Sequence, residues 1–390
     1  MRALMVAPQP FFQPRGTPFS VYFRALVLAE LGVEIDLLCY GQGQDVEIPG
    51  VRILRIPDLG VFGPVKVGPS LLKLVLDIPL AVRTYWRVLV GRYDFVHVHE
   101  EAAFFSLLVP MLGPKLVYDM HSSLAQQLVA YRWDRVPLLV RLFEMLERAT
   151  LRRADAVITI GPALAELALG QMRRANDHFL IENSIFEPVR VTGPRDVAHA
   201  RKLETALPEG RTLVAYAGTL ESYQGVDLLI RALTIARREN PQLFLLVIGG
   251  TADQVDDLRA LASSCGMDEH CLFTGTLDQQ ATFDLLSRAH VLTSPRVGGI
   301  NTPLKVYQLL ASGKPVVATR IPSHTQVLDD ETCILTQPNP EAFAEGLLHA
   351  VGDPAAAQRR IRAALELYSS KYSRSIYKSK LQVLLERLAR

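Results

Sequence analysis

Short apolar segments alternate with longer amphipathic segments along the first half of the chain. Residues 3–7, 33–39 and 95–99 are compact segments rich in aliphatic side chains, while residues 21–31 repeat apolar side chains at helical spacing. Short strands with few charges are typical of a parallel sheet that is buried on both faces. The pattern predicts a β-loop-α-β unit that opens a doubly wound domain, in which ligands bind at the carboxyl ends of the strands.

The same alternation restarts after a break in the middle of the chain. Amphipathic helices alternate there with strands predicted at 213–217, 243–248, 271–273, 290–294 and 316–318. Residues 188–208 are rich in Pro, Gly and charge without a long apolar pattern, which is typical of a linker. We therefore predict an α/β protein with an N-terminal domain at 1–188 and a C-terminal domain at 189–370. A last helix, 371–390, is expected to pack back on the N-terminal domain.

Composition narrows the class of protein. The chain of 390 residues is 49% hydrophobic and has a formal net charge of +2, which gives no reason to expect a nucleic-acid partner. Its four cysteines show no CxxC pair and no metal-ligand spacing, so we expect reduced thiols and a cytoplasmic protein. The first segment has no signal-peptide pattern, and no apolar run approaches the roughly 20 residues needed to cross a bilayer.

Residues 294–319 combine a strand end, a glycine loop, a predicted helix and a second strand. Gly299 lets the backbone turn sharply and approach a ligand closely. Asn301 or Thr302 is expected to cap a helix at 303–311, whose N-terminus would offer backbone N–H groups to an anion such as phosphate. Four cations lie in or near the stretch: Arg296, Lys305, Lys314 and Arg320. The alternative is an ordinary β-α-β corner with basic surface residues.

Polar residues also collect after other predicted strands. His99 ends one strand of the first domain, and His121 follows the next strand along the chain. Three more candidates lie in the loop after the first strand: Arg15, Gly16 and Thr17. Two lie after the first strand of the second domain: Gly218 and Thr219. Because the carboxyl ends of parallel strands share one edge of a sheet, these residues are candidates for ligand contacts.

Residues 61–92 are both basic and apolar. Four apolar side chains share one face of a predicted helix there: Leu71, Leu74, Val75 and Ile78. Most such helices cover a sheet, and that is the interpretation we favour, but a basic amphipathic helix can also lie on an anionic membrane surface. Peripheral contact through 61–92 on the inner face of a membrane, together with an exposed Phe11-Phe12 pair, would suit a lipid-linked acceptor.

Several motifs carry a family resemblance. The second half contains, in order, VAYAGTLESYQGVDLLIRAL, LFLLVIGG, CLFTGTL and LLSRAHVLTSP, followed by the glycine loop. The first half contains PRGTPFSVYFRALVLAELGVEIDLL, DFVHVHE and YDMHSS. In these motifs and their order, the chain resembles the retaining GT-B glycosyltransferases of glycosyltransferase family 4. The resemblance implies two Rossmann-like domains facing a central cleft. It also implies transfer of a sugar from a nucleotide-diphosphate donor to a glycan or lipid-linked acceptor, with no metal and no cofactor.

The resemblance also implies roles for individual residues. His121 is expected to contact the donor sugar near the reacting carbon, Lys305 to stabilise the leaving diphosphate, and Gln308 to hold the nucleoside ribose. The other donor-binding candidates lie in loops that follow strands: Gly16, Gly218, Thr219, Arg296, Gly299, Asn301 and Thr302. The acceptor-side candidates lie in the first domain: Arg15, Thr17 and His99.

The chain departs from the family pattern at four positions. Family members usually carry Glu where this chain has Ile300 and Gln308, and Arg and Lys where it has Thr219 and Gln224. Two cations are thereby lost from the pyrophosphate site, and Lys305 is the best replacement. Two other functions stay open: a non-catalytic GT-B protein that binds a nucleotide or glycan, and a GT-B nucleotide-sugar epimerase. The donor base (UDP or GDP), the sugar and the acceptor stay open as well.

Overall fold

The computed structural model describes residues 1–14, 16–58, 65, 70–130, 137–189, 191–192, 197–299 and 301–390. These residues form two compact units. The first contains Met1–Ser184, Arg190–Thr192 and Arg374–Arg390, and the second contains Ile185–Val189 and Gly193–Ser373. Two candidates from the sequence, Arg15 and Ile300, lie outside the described residues, as do residues 61–64 and 66–69 of the basic apolar stretch.

A parallel sheet forms the centre of each unit. The described strands of the first unit are β1 (Arg2–Ala7), β2 (Glu34–Cys39), β3 (Val51–Arg55), β4 (Phe95–His99), β5 (Lys115–Met120), β6 (Ala156–Thr159) and β7 (His178–Leu180). Those of the second unit are β8 (Thr212–Ala217), β9 (Leu243–Ile248), β10 (Cys271–Phe273), β11 (Val291–Ser294), β12 (Val316–Thr319) and β13 (Ile334–Thr336). The strand orders are β3-β2-β1-β4-β5-β6-β7 and β10-β9-β8-β11-β12-β13. The order reverses between β1 and β4 and between β8 and β11, which are the positions where doubly wound sheets bind ligands.

Helices connect these strands. In the first half of the chain the described helices are α1 (Gly16–Glu30), α2 (Leu71–Val90), α3 (Ala102–Phe105), α4 (Leu124–Ala130), α5 (Pro137–Arg153) and α6 (Pro162–Leu169). The second half contains α7 (Val197–Ala206), α8 (Val226–Ala236), α9 (Ala252–Ser264), α10 (Gln279–Ser287), α11 (Lys305–Ala311), α12 (Pro322–Thr325), α13 (Pro340–Gly352), α14 (Pro354–Leu367) and α15 (Arg374–Ala389). The predicted α/β fold with two doubly wound sheets is confirmed. Among the described helices, none combines the length and the apolar character needed to cross a membrane.

Two helix starts differ from the prediction. Helix α1 begins at Gly16 rather than residue 21, because Pro18 is tolerated in a first turn, where its missing N–H costs nothing. Helix α11 begins at Lys305, and Leu304 occupies the capping position without a side-chain hydrogen bond. The expected cap by Asn301 or Thr302 is therefore wrong. The Val306 N–H donates to the Pro303 carbonyl at 3.0 Å, three residues back, so a tight turn precedes the α-helix and Thr302 lies two residues before the capping position.

Packing explains two further differences between the sequence analysis and the structure: one wrong expectation and one strand that was not predicted. Phe11 and Phe12, expected to be exposed, have no exposed surface, and the Phe12 ring meets Phe19 edge-on with 5.1 Å between ring centroids. Strand β3 was not predicted at all. Its two arginines obscure the apolar pattern, and the Arg52 guanidinium pairs with the Asp36 carboxylate of β2 at 2.7 Å. A charged edge strand of this kind is identified by its neighbour rather than by its own composition.

Helix α2 has two apolar faces. The face that packs on the first sheet repeats every four residues and contains Leu76, Leu80, Thr84 and Val88, all buried. The face identified from the sequence points outward instead, with exposed fractions of 51% for Leu74 and 67% for Ile78. The favoured interpretation, that this helix covers a sheet, is therefore confirmed, but the face that does so is not the one identified from the sequence. Val82, Trp86 and Leu89 extend the exposed apolar stripe along the helix.

Helix α15 belongs to the first unit. Its apolar side chains recur at helical spacing and are buried there: Tyr377, Leu381, Leu384 and Leu388. Ion pairs add to this contact along the helix, since Lys380 pairs with Glu182 and Arg387 with Asp177. The chain therefore completes the first unit only after it has passed through the second.

Candidate active site

Four polar side chains meet at the carboxyl ends of β4 and β5 in the first unit. His97 and His99 are two residues apart on β4, so they point to the same face, and their rings stack with 4.8 Å between centroids. Asp119 lies opposite His99 on β5, and His121 follows Asp119 at the same spacing. We call these four residues the histidine cluster. It forms because two neighbouring parallel strands carry polar side chains at matching positions of the period-two repeat.

Hydrogen bonds hold the His121 ring from two sides. His99 Nδ1 lies 2.9 Å from His121 Nε2, and the Asn183 side-chain nitrogen lies 3.3 Å from His121 Nδ1. Because an amide N–H can only donate, His121 accepts at Nδ1, carries its proton on Nε2 and donates to His99. His99 has no exposed surface, whereas His121 retains 5%. His99 is therefore screened from solvent behind His121, and its place on the acceptor side stays a prediction.

A buried ion pair supports the histidine cluster. Arg24 Nε donates to Asp119 Oδ2 at 2.9 Å, and neither side chain is exposed. Burial alone would raise the pKa of Asp119, but Arg24 and the histidines outweigh it and hold that pKa well below its usual range. Burial lowers the pKa of both His97 and His99, so these rings are neutral at pH 7. Sequence reasoning missed Arg24, His97 and Asp119, each of which is an isolated polar residue within an apolar segment.

The histidine cluster also has the spacing of a metal-ligand set. One ligand atom each from His97, His99 and Asp119 lie within 4.8 Å of one another. However, the Asp119 carboxylate already binds the Arg24 guanidinium, and a dication placed there would face that positive charge at close range. The residues therefore fit an ion-pair network better than a metal centre. Metal independence stays a prediction.

The first-loop candidates lie at the point where the order of the first sheet reverses. The Thr17 hydroxyl donates to Glu100 Oε1 at 2.8 Å, which joins the segments that follow β1 and β4. Glu100 has a φ of 47°, a left-handed conformation that is uncommon for residues other than glycine and concentrates at functional sites. Gly16 is exposed, and an added β-carbon would meet nothing within 4 Å, so its protein neighbours do not require a glycine there.

Two acidic residues that the sequence analysis did not select, Asp77 and Glu101, lie close to Glu100. Lys73 Nζ lies 3.0 Å from a Glu101 carboxylate oxygen and 3.9 Å from a Glu100 oxygen. Tyr40 donates its hydroxyl hydrogen to Asp77 at 2.7 Å, and burial, reinforced by Glu101, raises the pKa of Asp77 to about 8. The positive charge of Lys73 is thus balanced by acidic side chains of the first unit, although Lys73 is one of the residues that make 61–92 basic in sequence.

Two loops pack together at the order reversal of the second sheet, one after β8 and one after β11. The Val297 N–H donates to the Tyr223 carbonyl at 2.9 Å and joins the two loops. Gly249, at the end of β9, has a φ of +118°, and a β-carbon there would lie 2.0 Å from the Gly218 carbonyl oxygen. No larger residue fits such a backbone contact. The sequence analysis did not select Gly249, although the Gly-Gly pair that ends β9 was the available signal.

Lys305 directs its ammonium group toward the Gly218 turn. The Nζ atom lies 3.9 Å from the centroid of the Tyr216 ring, and an added β-carbon at Gly218 would lie 2.9 Å from Nζ. The nitrogen is buried and has no hydrogen-bond partner among the residues that the structure describes. Burial, followed by the nearby Arg296 guanidinium, lowers the pKa of Lys305 to about 7. An ammonium in this state gains more from an anionic ligand than a solvated surface lysine does.

The Arg296 guanidinium packs against the backbone turn at Gly299 in the loop after β11. Arg296 Nε donates to the Gly298 carbonyl at 2.5 Å, and a second guanidinium nitrogen lies 3.3 Å from the Asn301 carbonyl oxygen. Gly299 has a φ of +104°, and a β-carbon there would collide with the same guanidinium at 2.0 Å. Arg320, by contrast, is neutralised by Asp330 at 2.7 Å, so it does not add a free cation to this loop.

The other candidates of the second unit lie around Lys305. Gln224 donates to the Thr219 hydroxyl at 3.2 Å, so the two replacements of family cations contact each other. The Thr302 hydroxyl is buried without a hydrogen-bond partner among the described residues. Gln308 is partly exposed on α11, one helical turn after Lys305. The second unit therefore brings Gly218, Arg296, Lys305 and the Gly299 turn together, and it leaves polar groups without partners beside them.

His324 is a further residue that the sequence analysis did not select. Its Nδ1–H donates to the Thr319 carbonyl at 2.8 Å, and the Ser294 hydroxyl lies 2.9 Å from Nε2. Burial lowers the pKa of His324 to about 4, so the ring is neutral at physiological pH. The Thr319 hydroxyl also donates to the Arg296 carbonyl. His324 therefore links the ends of β11 and β12 beneath the loop that contains Arg296.

Two family models match this chain. Residues 200–367 match the family described as glycosyl transferases group 1, and residues 21–184 match the glycosyl transferase 4-like domain. Together the two matches take in most of both units. The chain is a GT-B glycosyltransferase that resembles family 4. The expectation of a GT-B glycosyltransferase that resembles family 4 is thereby confirmed, while retention of configuration and the roles of individual residues stay predictions.

Individual proteins agree with this assignment. The phosphatidyl-myo-inositol mannosyltransferase of Mycobacterium tuberculosis is 24% identical to this glycosyltransferase, and the match covers 100% of this chain and 97% of that protein. Sucrose-phosphate synthase from Thermosynechococcus elongatus has a similar structure, with a TM-score of 0.74, 20% identity and coverage of 99% and 98% of the two chains. Anabaena Alr3699/HepE in complex with UDP and glucose gives a TM-score of 0.74 at 15% identity, with 99% of each chain covered. At these identities the structural similarity shows the fold.

Proposed function

We propose that this glycosyltransferase transfers a sugar from a nucleotide-diphosphate donor with retention of anomeric configuration and without a metal. The observation that carries the proposal is the Lys305 ammonium, which is buried beside the Gly218 turn and lacks a hydrogen-bond partner among the described residues. Negative charge grows on the leaving diphosphate as its bond to the sugar breaks. A cation already in place stabilises that charge without reorganisation, an effect commonly worth about 3–4 kcal/mol for one contact.

The other donor contacts follow from the same loops. Arg296 and the backbone N–H groups of Asn301 and Thr302 are proposed to bind the diphosphate together with Gly218 and the exposed Thr219. Gln308, one turn after Lys305 on α11, is proposed to bind the ribose. Because α11 has only seven residues, its peptide dipoles add little, and side-chain cations account for most of the attraction. The structure of the Anabaena relative, described with UDP and glucose, supports a nucleotide-sugar donor.

The histidine cluster is proposed to act on the donor sugar through His121. Its partners, His99 and Asn183, hold both ring nitrogens, so the ring is already oriented when a sugar contacts the small part of it that stays exposed. Gly16 remains a proposed donor contact and Thr17 a proposed acceptor contact, and Arg15 is proposed on the acceptor side from the sequence alone.

The acceptor is proposed to be a glycan or a lipid-linked molecule reached from the cytoplasmic side of a membrane. The relative from Mycobacterium tuberculosis is named for phosphatidyl-myo-inositol, which is a lipid. The exposed apolar stripe of α2, with 66% of Val82 and 69% of Leu89 exposed, supports peripheral contact through residues 61–92. Exposed Leu138 and Met145 of α5 add apolar surface in the same unit.

A turnover assay tests the proposal. The purified protein is incubated with UDP- and GDP-sugars and with lipid and glycan acceptors, and nucleotide release, product anomer and donor epimerisation are measured. We expect product with retained configuration, and we expect turnover to persist after exhaustive EDTA dialysis.

Lys305→Ala should lower kcat by about 100-fold or more, whereas Lys314→Ala, which changes a lysine that follows α11, should leave kcat unchanged. An epimerised donor without transfer would favour the epimerase, and nucleotide binding without turnover would favour a binding protein. Activity lost to EDTA and restored by Mn²⁺ would contradict metal independence.

A further inference from the structure

A strongly basic cavity lies at the edge of the first sheet where β5 and β6 begin. It has a volume of about 380 Å³ and is lined by thirteen residues, of which seven are Lys or Arg and two are Asp. Whole-chain composition gives no hint of this imbalance, because the formal net charge is only +2. We call this feature the basic cavity.

Several separate elements bring these charges together. Lys115 is the first residue of β5, and Arg152 and Arg153 form the last turn of α5. Arg173 and Arg174 follow α6, and Arg387 comes from α15, the helix that returns to the first unit. Both arginine pairs are visible in the sequence as LRR and MRR, but only the fold places them at one cavity.

Only part of this charge is neutralised by the protein. Arg387 pairs with Asp177 at 2.5 Å, and Lys115 Nζ donates to the Leu388 carbonyl at 2.7 Å. The other carboxylate, Asp155, accepts the backbone N–H of Leu116 at 2.8 Å. Within the described ranges of the chain, Arg153, Arg173 and Arg174 have no carboxylate within ion-pair distance. These three arginines are exposed, so an anion from solvent can reach them.

We infer that the basic cavity binds a phosphate-bearing anion at a site separate from sugar transfer. Guanidinium groups present forked N–H donors that match the oxygens of a phosphate ester, and arginine is the residue best suited to that geometry. The cavity volume lies in the range of small-molecule sites, and its walls are polar rather than apolar, so an anionic group fits better than a hydrocarbon. The phosphate can come from a lipid headgroup or from a free phosphate compound.

The basic cavity is distinct from the histidine cluster. Lys115 begins β5, whereas Asp119 and His121 lie at and beyond its other end, which places them about 13 Å or more apart along the strand. The inference does not depend on the proposed donor site, because none of the residues that line the cavity belongs to the second unit.

Binding of inorganic pyrophosphate to the full chain tests the inference, measured by calorimetry in a Lys305→Ala background that weakens the proposed donor loop. The cavity variant carries Arg153→Glu and Arg174→Glu. The matched control carries Arg231→Glu and Arg288→Glu, which change net charge equally at exposed positions on α8 and directly after α10. Circular dichroism checks that all variants are folded. We expect at least tenfold weaker pyrophosphate binding in the cavity variant and less than twofold change in the control.

A second arm separates the two sources of phosphate. Vesicles of phosphatidylcholine are compared with vesicles that also contain phosphatidylglycerol. Pyrophosphate binding that depends on the cavity identifies a free phosphate compound as a sufficient ligand. If pyrophosphate does not bind but phosphatidylglycerol vesicles do, and only with the cavity intact, the ligand is a lipid headgroup. If the cavity variant and the control behave alike with both probes, the inference is wrong.

Discussion

Lys305 and His121, the two residues proposed to act on the donor, are held in opposite ways. Both ring nitrogens of His121 have partners, so its orientation is set before a ligand arrives. The Lys305 ammonium is buried without a hydrogen-bond partner among the described residues, so its energy falls only when an anion binds. One residue is preorganised by its neighbours, and the other has hydrogen-bond donors that a ligand can satisfy.

Removing a partner of His121 should impair turnover more than donor binding. In Asn183→Ala the ring loses its donor at Nδ1, becomes free to rotate, and kcat should fall by about 10- to 100-fold because small misplacements of catalytic groups are costly. The KM for the donor should change by less than about threefold, since Asn183 acts through His121. Steady-state kinetics measure both constants. A KM effect larger than the kcat effect would show that Asn183 binds the donor itself.

The charge on Lys305 predicts a pH dependence. Its pKa of about 7 means that the ammonium is protonated below this pH and neutral above it. The groups that face it are Arg296, Tyr216 and, with opposite charge, Glu221. The kcat/KM for the donor should therefore fall as pH rises above about 7, approaching tenfold per pH unit. In Lys305→Arg the guanidinium stays charged and this fall should disappear. Superimposable profiles for the two proteins would exclude Lys305 as the titrating group.

At the scale of elements, helix α2 has one buried face and one exposed apolar face. One face, which includes Leu80 and Thr84, packs on the first sheet, and the other presents an exposed apolar stripe. The sequence pattern singled out the exposed face, because helical periodicity marks both apolar faces alike and does not tell which of them packs on the sheet. Lys73, the first cation of this helix, is engaged by Glu101, so the electrostatic part of any membrane contact must come from other residues.

Charges placed on the exposed face of α2 should weaken membrane binding without unfolding the protein. Ile78→Glu with Val82→Glu adds two acids at positions that are 67% and 66% exposed. We expect at least tenfold less protein in the floating fraction with anionic vesicles, because apolar insertion is lost and repulsion is added. Val383→Glu, at a position 55% exposed on α15, is the control. Equal flotation of all three proteins would contradict membrane contact through α2.

At the scale of the whole molecule, the chain enters the first unit twice. Residues up to Ser184 build its sheet, and α15 returns after the second unit is complete. Tyr377 of α15 places its ring 5.1 Å from the Arg24 guanidinium, which binds Asp119 of the histidine cluster. The last helix therefore supports residues that precede it by more than two hundred positions.

The stability of the first unit should depend on this last helix. Leu381→Ala removes a side chain with no exposed surface and should cost about 2–5 kcal/mol of unfolding free energy. Val383→Ala, on the exposed side of the same helix, should change it by less than about 0.5 kcal/mol. Both tryptophans, Trp86 and Trp133, lie between residues 1 and 184, so tryptophan fluorescence in urea follows this unit. Equal effects of the two substitutions would show that α15 does not stabilise it.

The sequence by itself determined the features that are local or repeat along the chain. Alternating strands and helices predicted both doubly wound sheets, and the ordered motifs identified the glycosyltransferase family. The glycine loop marked the place of Arg296 and Lys305 because glycine turns and nearby cations are adjacent in sequence. These features depend on neighbours within a few residues, which periodicity and composition report directly.

Only the tertiary structure decided which distant side chains meet. The joining of Arg24, His97 and Asp119 required the order of the strands, and the basic cavity required α15 to return beside α5 and α6. The start of α11 at Lys305 depended on how the loop turns before it, and the outward face of α2 depended on which of two similar faces meets the sheet. The physical reason is that burial and electrostatic fields are set by groups far apart in sequence, and no local pattern contains them.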